Sequence, residues 1–256
     1  MNSDLVFDIG MNHGEDTVYY LSRNFRVVAV EANPILVAEN RLKFADAIAA
    51  GRLIIEPVGI LDHPGTATFW VCDVHDDWSS FDHEMGGRNG AACHALEVEC
   101  VTLSQLIAKH GVPYYLKIDI ERADRHCLES LQSDDLPAYV SIEAHELDYL
   151  LMLRDLGYGH FKIIDQMRHN SRLPNLSNEN VLSRLLKKAF WYADRVRNKF
   201  GKVEHLPGSS GPFGEDTQGS WLPLEDVAYN WLHFHRGHFH RGTLQRLSWY
   251  DFHAKA

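Results

Sequence analysis

A glycine-containing turn between a short apolar strand and a helix is the feature that most constrains the fold of this chain. Residues 5–9 favour a β-strand, residues 10–14 a tight turn and residues 17–21 a helix. An acidic residue, Glu31, ends the next apolar run, 21 positions after Gly10. Nucleotide sites on parallel α/β sheets have an acidic residue about 20 positions after the first glycine. The sequence therefore predicts a nucleotide-type site at the end of the first strand.

The glycine spacing discriminates between nucleotide ligands. Asn12 stands where a dinucleotide-binding turn has its second glycine, which lets the backbone approach a pyrophosphate. A pyrophosphate ligand is therefore disfavoured. S-adenosylmethionine needs a close glycine turn for its amino-acid end and a carboxylate for its ribose hydroxyls, so it fits better than a nicotinamide dinucleotide. Taken alone, Glu31 could also be a carboxylate that faces water.

Strands and helices alternate along the chain, which predicts an α/β fold with a mostly parallel sheet covered by helices on both faces. Asn33 and Thr102 are predicted to begin helices, the first of which ends near Gly51. A long loop, of the kind that often carries function in compact domains, is expected at residues 73–93. The predicted further strands are residues 52–60, 113–121, 138–143 and 161–165, with edge strands at 66–71 and 96–101.

Acidic residues recur where the predicted parallel strands end, and ligands bind at this edge of such sheets. Carboxylates that converge there should have raised pKa values or hold a cationic ligand, and a sulfonium cofactor is cationic. Carboxylates that face solvent explain one or two of these positions equally well. The five residues are Asp8, Glu31, Asp119, Glu121 and Glu143.

Composition and charge narrow the class of protein. The chain has 256 residues, of which 45% are hydrophobic and 23% charged, as in ordinary globular proteins. Residues 1–168 carry 13 basic and 27 acidic residues, whereas residues 169–256 carry 12 and 8, so nucleic acid is disfavoured as a partner of the first part. With no export signal, no membrane-length apolar run and no paired cysteine motif, we expect a cytoplasmic protein without a membrane span or disulfides.

The predicted organisation is a cofactor-binding domain at residues 1–168 and an extension at 169–256 that packs on it. A helix at residues 177–200 is expected to cover the sheet, since its apolar residues form one stripe. Glycines in residues 208–216 and tryptophans nearby could form a lid or acceptor surface, or belong to the core. The histidine-rich residues 233–242 are interpreted as a pH-sensitive basic segment rather than a metal site, because their arginines would repel a cation.

The ordered motifs of residues 4–166 resemble the FkbM-type family of S-adenosylmethionine-dependent methyltransferases. The resemblance is carried by residues 6–14, 30–34, 102–103, 116–121 and 142–143. It implies a class I methyltransferase fold that is Rossmann-like, and O-methylation of sugar or secondary-metabolite hydroxyls. The cofactor-binding residues that it implies are Asp8, Gly10, Asn12, Gly14, Glu31, Asn33, Val58, Gly59, Ser79 and Ser80.

The sequence departs from the family pattern at three places. Met11 replaces a small residue, residues 57–59 differ from the usual Asn-Val-Ala, and Arg122 stands where the family has glycine. Arg122 could block a close backbone approach or reach towards an anionic acceptor.

Methyl transfer to an alcohol needs a positioned acceptor and a base for its proton. Asp119 and His145 are the preferred candidates for the base, and Glu121 and Glu143 are further catalytic candidates. His145 could equally be an exposed residue at a helix start. The expected partner is a small-molecule or glycan hydroxyl acceptor, and the sequence leaves self-association into a homo-oligomer open. Two other functions stay open: a nicotinamide-dependent sugar-modifying enzyme, and a non-catalytic glycan-binding module on a cofactor fold.

Overall fold

A computed structural model describes residues 2–166, 209–239 and 250–256. The strands are β1 (Asn2–Ile9), β2 (Arg26–Val30), β3 (Leu53–Glu56), β4 (Gly59–Ile60), β5 (Gly65–Cys72), β6 (Cys93–Val101), β7 (Pro113–Ile118), β8 (Tyr139–Glu143), β9 (His160–Asp165) and β10 (Tyr250–Lys255). The α-helices are α1 (Glu15–Ser22), α2 (Pro34–Lys43), α3 (Ala45–Ala49), α4 (His83–Gly86), α5 (Leu103–His110), α6 (Asp124–Ser130), α7 (Asp148–Leu156) and α8 (Leu224–Phe239).

A seven-stranded sheet forms the centre of the fold, in the order β3-β2-β1-β7-β8-β10-β9. Its neighbours from β3 to β8 pair in parallel, whereas β10 runs antiparallel to both β8 and β9. The strand order reverses between β1 and β7, and an open α/β sheet binds ligands beyond the carboxyl ends of its strands at such a point. The predicted α/β fold with a mostly parallel sheet is confirmed.

Both faces of the sheet are covered, because successive side chains of a strand point to opposite faces. On β1, Phe7 and Ile9 belong to one apolar cluster, which also includes residues of α5, α6, α7 and α8. Val6 belongs to a second cluster, which includes residues of α1 and α2. The central strands are therefore apolar on both faces, as expected for a buried parallel sheet.

The predicted strand at residues 52–60 is in fact two strands in different sheets. β3 ends at Glu56, and Pro57 follows, which has no N–H to donate to a sheet ladder. The chain then leaves the main sheet, and β4 pairs in parallel with β6. β5 pairs antiparallel with β6, so the two predicted edge strands belong to a separate three-stranded sheet.

Helix starts were predicted better than helix ends. The Asn33 side chain accepts a hydrogen bond from the Ile35 N–H, and Thr102 forms a capping box with Gln105, so both predicted helix starts are confirmed. The helix expected to run from Pro34 to near Gly51 is instead divided into α2 and α3. The loop at residues 73–93 contains α4 and two short 3₁₀ turns.

The extension supplies part of the main sheet. β10 lies between β8 and β9, so the sheet is completed by residues beyond the predicted boundary at residue 168. Phe213 also packs on the second face, where its ring stacks on Tyr115 with centroids 3.8 Å apart. The predicted helix at residues 177–200 lies outside the described residues, as do the side chains of the histidine-rich segment.

Burial of Phe252 makes the sheet depend on its last strand. Phe252 is fully buried on β10, so Phe252→Ala should lower the free energy of unfolding by about 3–5 kcal/mol. Leu42→Ala, which removes an 82% exposed side chain, should change it by less than about 0.5 kcal/mol. Urea denaturation followed by circular dichroism measures both values. Equal midpoints for the two variants would show that burial of Phe252 does not stabilise the sheet.

Candidate active site

A cavity of about 410 Å³ opens at the carboxyl ends of β1, β2 and β7, where the strand order reverses. This volume lies within the range of about 300–1,000 Å³ that is usual for small-molecule sites. We call it the cofactor cavity. Its lining includes Gly10, Asn12, Glu31, Val58, Gly59, Ile60, Phe69, Asp77, Trp78, Ser79, Phe81, Arg88, Asp119, Glu121, Glu143 and Gln166.

The turn after β1 brings backbone close to backbone at the floor of this cavity. Gly10 has a φ of 86°, and a Cβ atom there would overlap the carbonyl oxygen of Asp119. Asn12 has a φ of 47°, a left-handed conformation that asparagine tolerates better than most residues. The turn after β1 therefore contacts the backbone that follows β7 at Gly10, a position that only glycine can occupy.

Glu31 joins the glycine turn to the start of α2. Its two carboxylate oxygens accept hydrogen bonds from the backbone N–H groups of Asn12 and Asn33, both at 2.8 Å. Burial raises the pKa of Glu31 to about 7, although these two hydrogen bonds oppose the shift. A carboxylate has about four lone-pair sites, so Glu31 retains acceptor capacity towards the cavity that it lines.

A buried lysine lies beneath the turn. The Lys117 ammonium is 3.1 Å from Asp8, 3.2 Å from Asp16 and 3.7 Å from Asp119, and it donates to the Gly10 carbonyl oxygen at 2.9 Å. Burial lowers the pKa of Lys117, but the nearby carboxylates outweigh it and raise the pKa well above its usual value. The ammonium therefore stays charged. Thr17 also donates to Asp8 at 2.6 Å.

Asp16 connects this buried cluster to the extension. Its carboxylate accepts hydrogen bonds from the backbone N–H groups of Ser210 and Gly211, at 3.2 and 2.7 Å. The same carboxylate faces Lys117, which holds the Gly10 carbonyl. The extension is thus joined to the floor of the cofactor cavity through two buried side chains.

Three acidic side chains, Asp119, Glu121 and Glu143, form the rim of the cavity. Burial raises the pKa of Asp119, and burial with the charges of Glu143 and Asp119 raises that of Glu121 to about 8. Glu143 lies 2.9 Å from His145. Burial lowers the pKa of His145, but the hydrogen bond and charge of Glu143 raise it to about 9. Raised pKa values of carboxylates at the rim were expected from the sequence, and burial is the largest cause for Asp119 and Glu121.

The turn after β7 is held in an unusual conformation. Glu121 and Arg122 have φ values of 45° and 75°, in the left-handed region that favours glycine. The Asp124 carboxylate accepts from the N–H groups of Ile120 and Arg122, both at 3.1 Å, and Ser80 Oγ donates to the Glu121 carbonyl at 2.7 Å. Residues 113–121 were predicted as one strand, but β7 ends at Ile118 because this turn follows it.

A second cavity, of about 730 Å³, adjoins the first and shares Phe81 and Arg88 with it. It lies between α4, the turn after β7 and the segment between β8 and α7. Its lining includes Ser80, Asp82, Met85, Arg122, His126, His145, Glu146 and Tyr149. The rim residue Glu121 lines the first cavity, and the next residue in the chain lines the second.

Nine of the fourteen residues predicted for the site line the cofactor cavity. The other five lie elsewhere, for physical reasons. Asp8 is fully buried against Lys117, and Gly14 precedes α1, where it packs on Phe44. Asn33 caps α2, while Ser80 and His145 line the second cavity.

Sequence reasoning missed several lining residues, among them Asp77, Arg88 and Gln166. Arg88 stacks on the Trp78 ring, 4.3 Å from its centroid. The long loop predicted at residues 73–93, which contains Trp78, was the sequence signal for this part of the cavity lining. Nothing in the spacing of the sequence marks Gln166, which follows β9 and donates to Asp251 at 2.6 Å.

The fold and the site define the class of protein: a Rossmann-like α/β protein with a ligand cavity where the strand order reverses. A sequence model of the Methyltransferase FkbM domain matches residues 8–167, more than half of the chain. The chain therefore belongs to the FkbM methyltransferase family, as its motifs indicated. No curated protein matches it.

Solved methyltransferase structures resemble the chain at low identity. Methyltransferase FkbM from Methylobacillus flagellatus KT is 18% identical, with a TM-score of 0.41, and the match covers 60% of this chain and 36% of that chain. PKMT2 from Rickettsia typhi, in complex with AdoHcy, is 11% identical, with a TM-score of 0.34, over 99% of this chain and 49% of that chain. This chain thus spans little more than a third of the Methylobacillus protein.

The cofactor cavity fits S-adenosylmethionine, the cofactor of the FkbM methyltransferase family. Gly10 lines the cavity without a side chain, and Glu31 has free acceptor capacity. Val58, Ile60 and Phe81 give the cavity apolar walls suited to an adenine ring.

Within residues 2–166, 209–239 and 250–256, the histidines, cysteines and carboxylates form no group that could hold a metal ion. The described helices include none with the length and apolar character needed to span a membrane.

Ionisation of Glu31 should control cofactor binding. We expect Glu31→Ala to weaken S-adenosylhomocysteine binding at least about tenfold, because charge-assisted hydrogen bonds contribute roughly 1.5–3 kcal/mol. Wild-type affinity should fall as the pH drops below about 7, since Glu31 then holds a proton and accepts fewer hydrogen bonds. Calorimetric titration at several pH values measures both effects, with the exposed Glu39→Ala as the control. A pH dependence that persists unchanged in Glu31→Ala would contradict this role.

Removal of Asp16 should detach the extension from the cavity floor. Asp16→Ala leaves the Ser210 and Gly211 N–H groups without their acceptor and takes a carboxylate from Lys117. Breaking a buried ion pair costs about 3–5 kcal/mol. Urea denaturation should show this loss, and hydrogen exchange should quicken at residues 209–217. Glu15→Ala, on the same turn of α1, is the control, and equal stability of the two variants would refute the connection.

Proposed function

We propose that this chain is an S-adenosylmethionine-dependent O-methyltransferase that acts on a hydroxyl group of a sugar, glycan or secondary metabolite. The observation that carries the proposal is the second cavity, which meets the cofactor cavity at Phe81 and Arg88, beside the carboxylate of Glu121. One cavity can hold the methyl donor while the other holds the acceptor. The bound cofactor would supply a methyl carbon activated by its attachment to sulfur.

The chain's own contribution to such a reaction is mainly positioning. Methyl transfer is an in-line displacement, so the walls must hold an acceptor oxygen close to the methyl carbon. The apolar and aromatic walls at Phe69, Trp78 and Phe81 exclude water from the cofactor side. The acidic rim favours a cationic ligand through its negative charges.

Glu121 is the candidate base that the surroundings of the rim residues favour. Burial raises the pKa of Asp119, but the Lys117 ammonium, 3.7 Å away, opposes this shift and pairs with the carboxylate. His145 remains protonated below about pH 9, so it cannot accept a proton at neutral pH. Burial raises the pKa of Glu121 to about 8, near the range where a base is effective, and its ion pair with Arg88 is long at 3.4 Å. We therefore rank Glu121 ahead of Asp119 and His145, the two residues preferred from the sequence.

Substitution of Glu121 tests the proposal. Glu121→Gln should lower methyl transfer by about 10²–10⁴-fold, the usual contribution of a positioned base. Wild-type turnover should rise with pH up to about 8, because the carboxylate must lose its proton to act. The assay measures S-adenosylhomocysteine formation with a panel of hydroxyl compounds, and calorimetry checks that the variant still binds S-adenosylhomocysteine.

Glu84→Gln, which changes an exposed carboxylate on α4, is the matched control for this experiment. Turnover of Glu121→Gln equal to that of the control would refute Glu121 as the base. Cofactor binding without methylation of any hydroxyl compound would favour the glycan-binding alternative. Binding of NADH in place of S-adenosylhomocysteine would favour the nicotinamide-dependent enzyme.

A further inference from the structure

Positively charged side chains outnumber carboxylates in the lining of the second cavity. Arg88, Arg122 and His145 line it, and His145 is charged at neutral pH because of Glu143. The carboxylates in its lining are Asp82 and Glu146. Glu146 is already paired with Arg125 at 3.3 Å, and Arg88 pairs with Glu121 of the cofactor cavity, so Asp82 is the lining acid that offsets Arg122.

The two arginines have donors to spare. A guanidinium has five N–H donors. Among the described residues, Arg122 donates to Asp82 at 3.0 Å and Arg88 to Glu121 at 3.4 Å. The Arg122–Asp82 pair is solvent-exposed, with 56% and 37% of the side chains accessible, and exposed pairs of this kind are weak. An anionic ligand can therefore compete with Asp82 for Arg122.

The backbone points to the same conclusion independently. Arg122 has a φ of 75°, a conformation that glycine adopts without strain and a side chain does not. The hydrogen bond from its N–H to Asp124 holds the residue there. Retaining a guanidinium at such a position is costly to the fold, which favours a role for the side chain in the cavity that it lines.

We propose that the acceptor is an acidic hydroxyl compound, namely a sugar or polyol that carries a carboxylate or phosphate group. This inference rests on the proposed methyltransferase function and narrows its substrate class. The acidic group binds Arg122 and Arg88 in the second cavity. A hydroxyl of the same molecule then lies beside Glu121, which belongs to the rim of the cofactor cavity.

Binding measurements test the proposal without requiring turnover. The protein, saturated with S-adenosylhomocysteine, is titrated with glucose, glucuronate, glucose 6-phosphate and inorganic phosphate. We expect at least one acidic sugar to bind about tenfold or more tightly than glucose, because hydrogen bonds to charged groups are the stronger ones. Comparison of glucuronate, glucose 6-phosphate and phosphate distinguishes a carboxylate site from a phosphate site. Equal binding of acidic and neutral sugars, or none of any acidic probe, would overturn the proposal.

Arg122→Gly identifies the residue responsible, and it removes backbone strain rather than adding it. The preference for the acidic sugar should disappear in this variant, while the affinities for glucose and S-adenosylhomocysteine stay unchanged. Arg154→Ala, an exposed arginine near the end of α7, should keep the preference. Retention of the preference by Arg122→Gly would overturn the assignment. Failure of the wild-type protein to bind S-adenosylhomocysteine would instead count against the proposed function itself.

Discussion

The buried ammonium of Lys117 is the interaction on which the arrangement of the site depends. It lies on β7, yet it contacts carboxylates of β1, α1 and the turn after its own strand. Taking an ammonium out of water costs several kcal/mol unless hydrogen bonds and opposite charges replace the solvent. Here the replacement comes from three separate segments, so the charge is satisfied only when β1, α1 and β7 are correctly placed. The Gly10 carbonyl accepts from the same ammonium, so the cofactor turn belongs to this arrangement.

The acidic surroundings of the cofactor cavity follow from the same geometry. Parallel strands bring their carboxyl ends together, so one acidic residue at each end gives a group of carboxylates with little water between them. Burial and mutual repulsion raise the pKa values of Glu31 and Glu121 to about 7 and 8. A cation near these groups would stabilise their ionised forms. A sulfonium cofactor therefore gains from a site whose charges are poorly satisfied without it.

Features marked by a local pattern could be predicted from the sequence, whereas those set by tertiary packing could not. The Gly10 turn, Glu31 and the Asn33 cap are marked by residue types within short stretches of the sequence, and the structure has each at its predicted position. Arg88 and Gln166 reach the cavity only through tertiary packing, so no local pattern marks them. β10 is the clearest example. Its six residues gain their place between β8 and β9 from strand pairing across more than 80 positions of sequence.

The turn after β7 lies between the two cavities, and this position gives a reason for its strained backbone conformation. Glu121 and Arg122 are adjacent in sequence, yet their left-handed φ values let the first line the cofactor cavity and the second line its neighbour. An extended continuation of β7 would alternate these side chains across the sheet instead. Three hydrogen bonds fix the turn: the Asp124 carboxylate accepts two, and the Ser80 hydroxyl donates one. A strained dipeptide at the boundary of the two cavities thus places a carboxylate and a guanidinium side by side, each facing a different cavity.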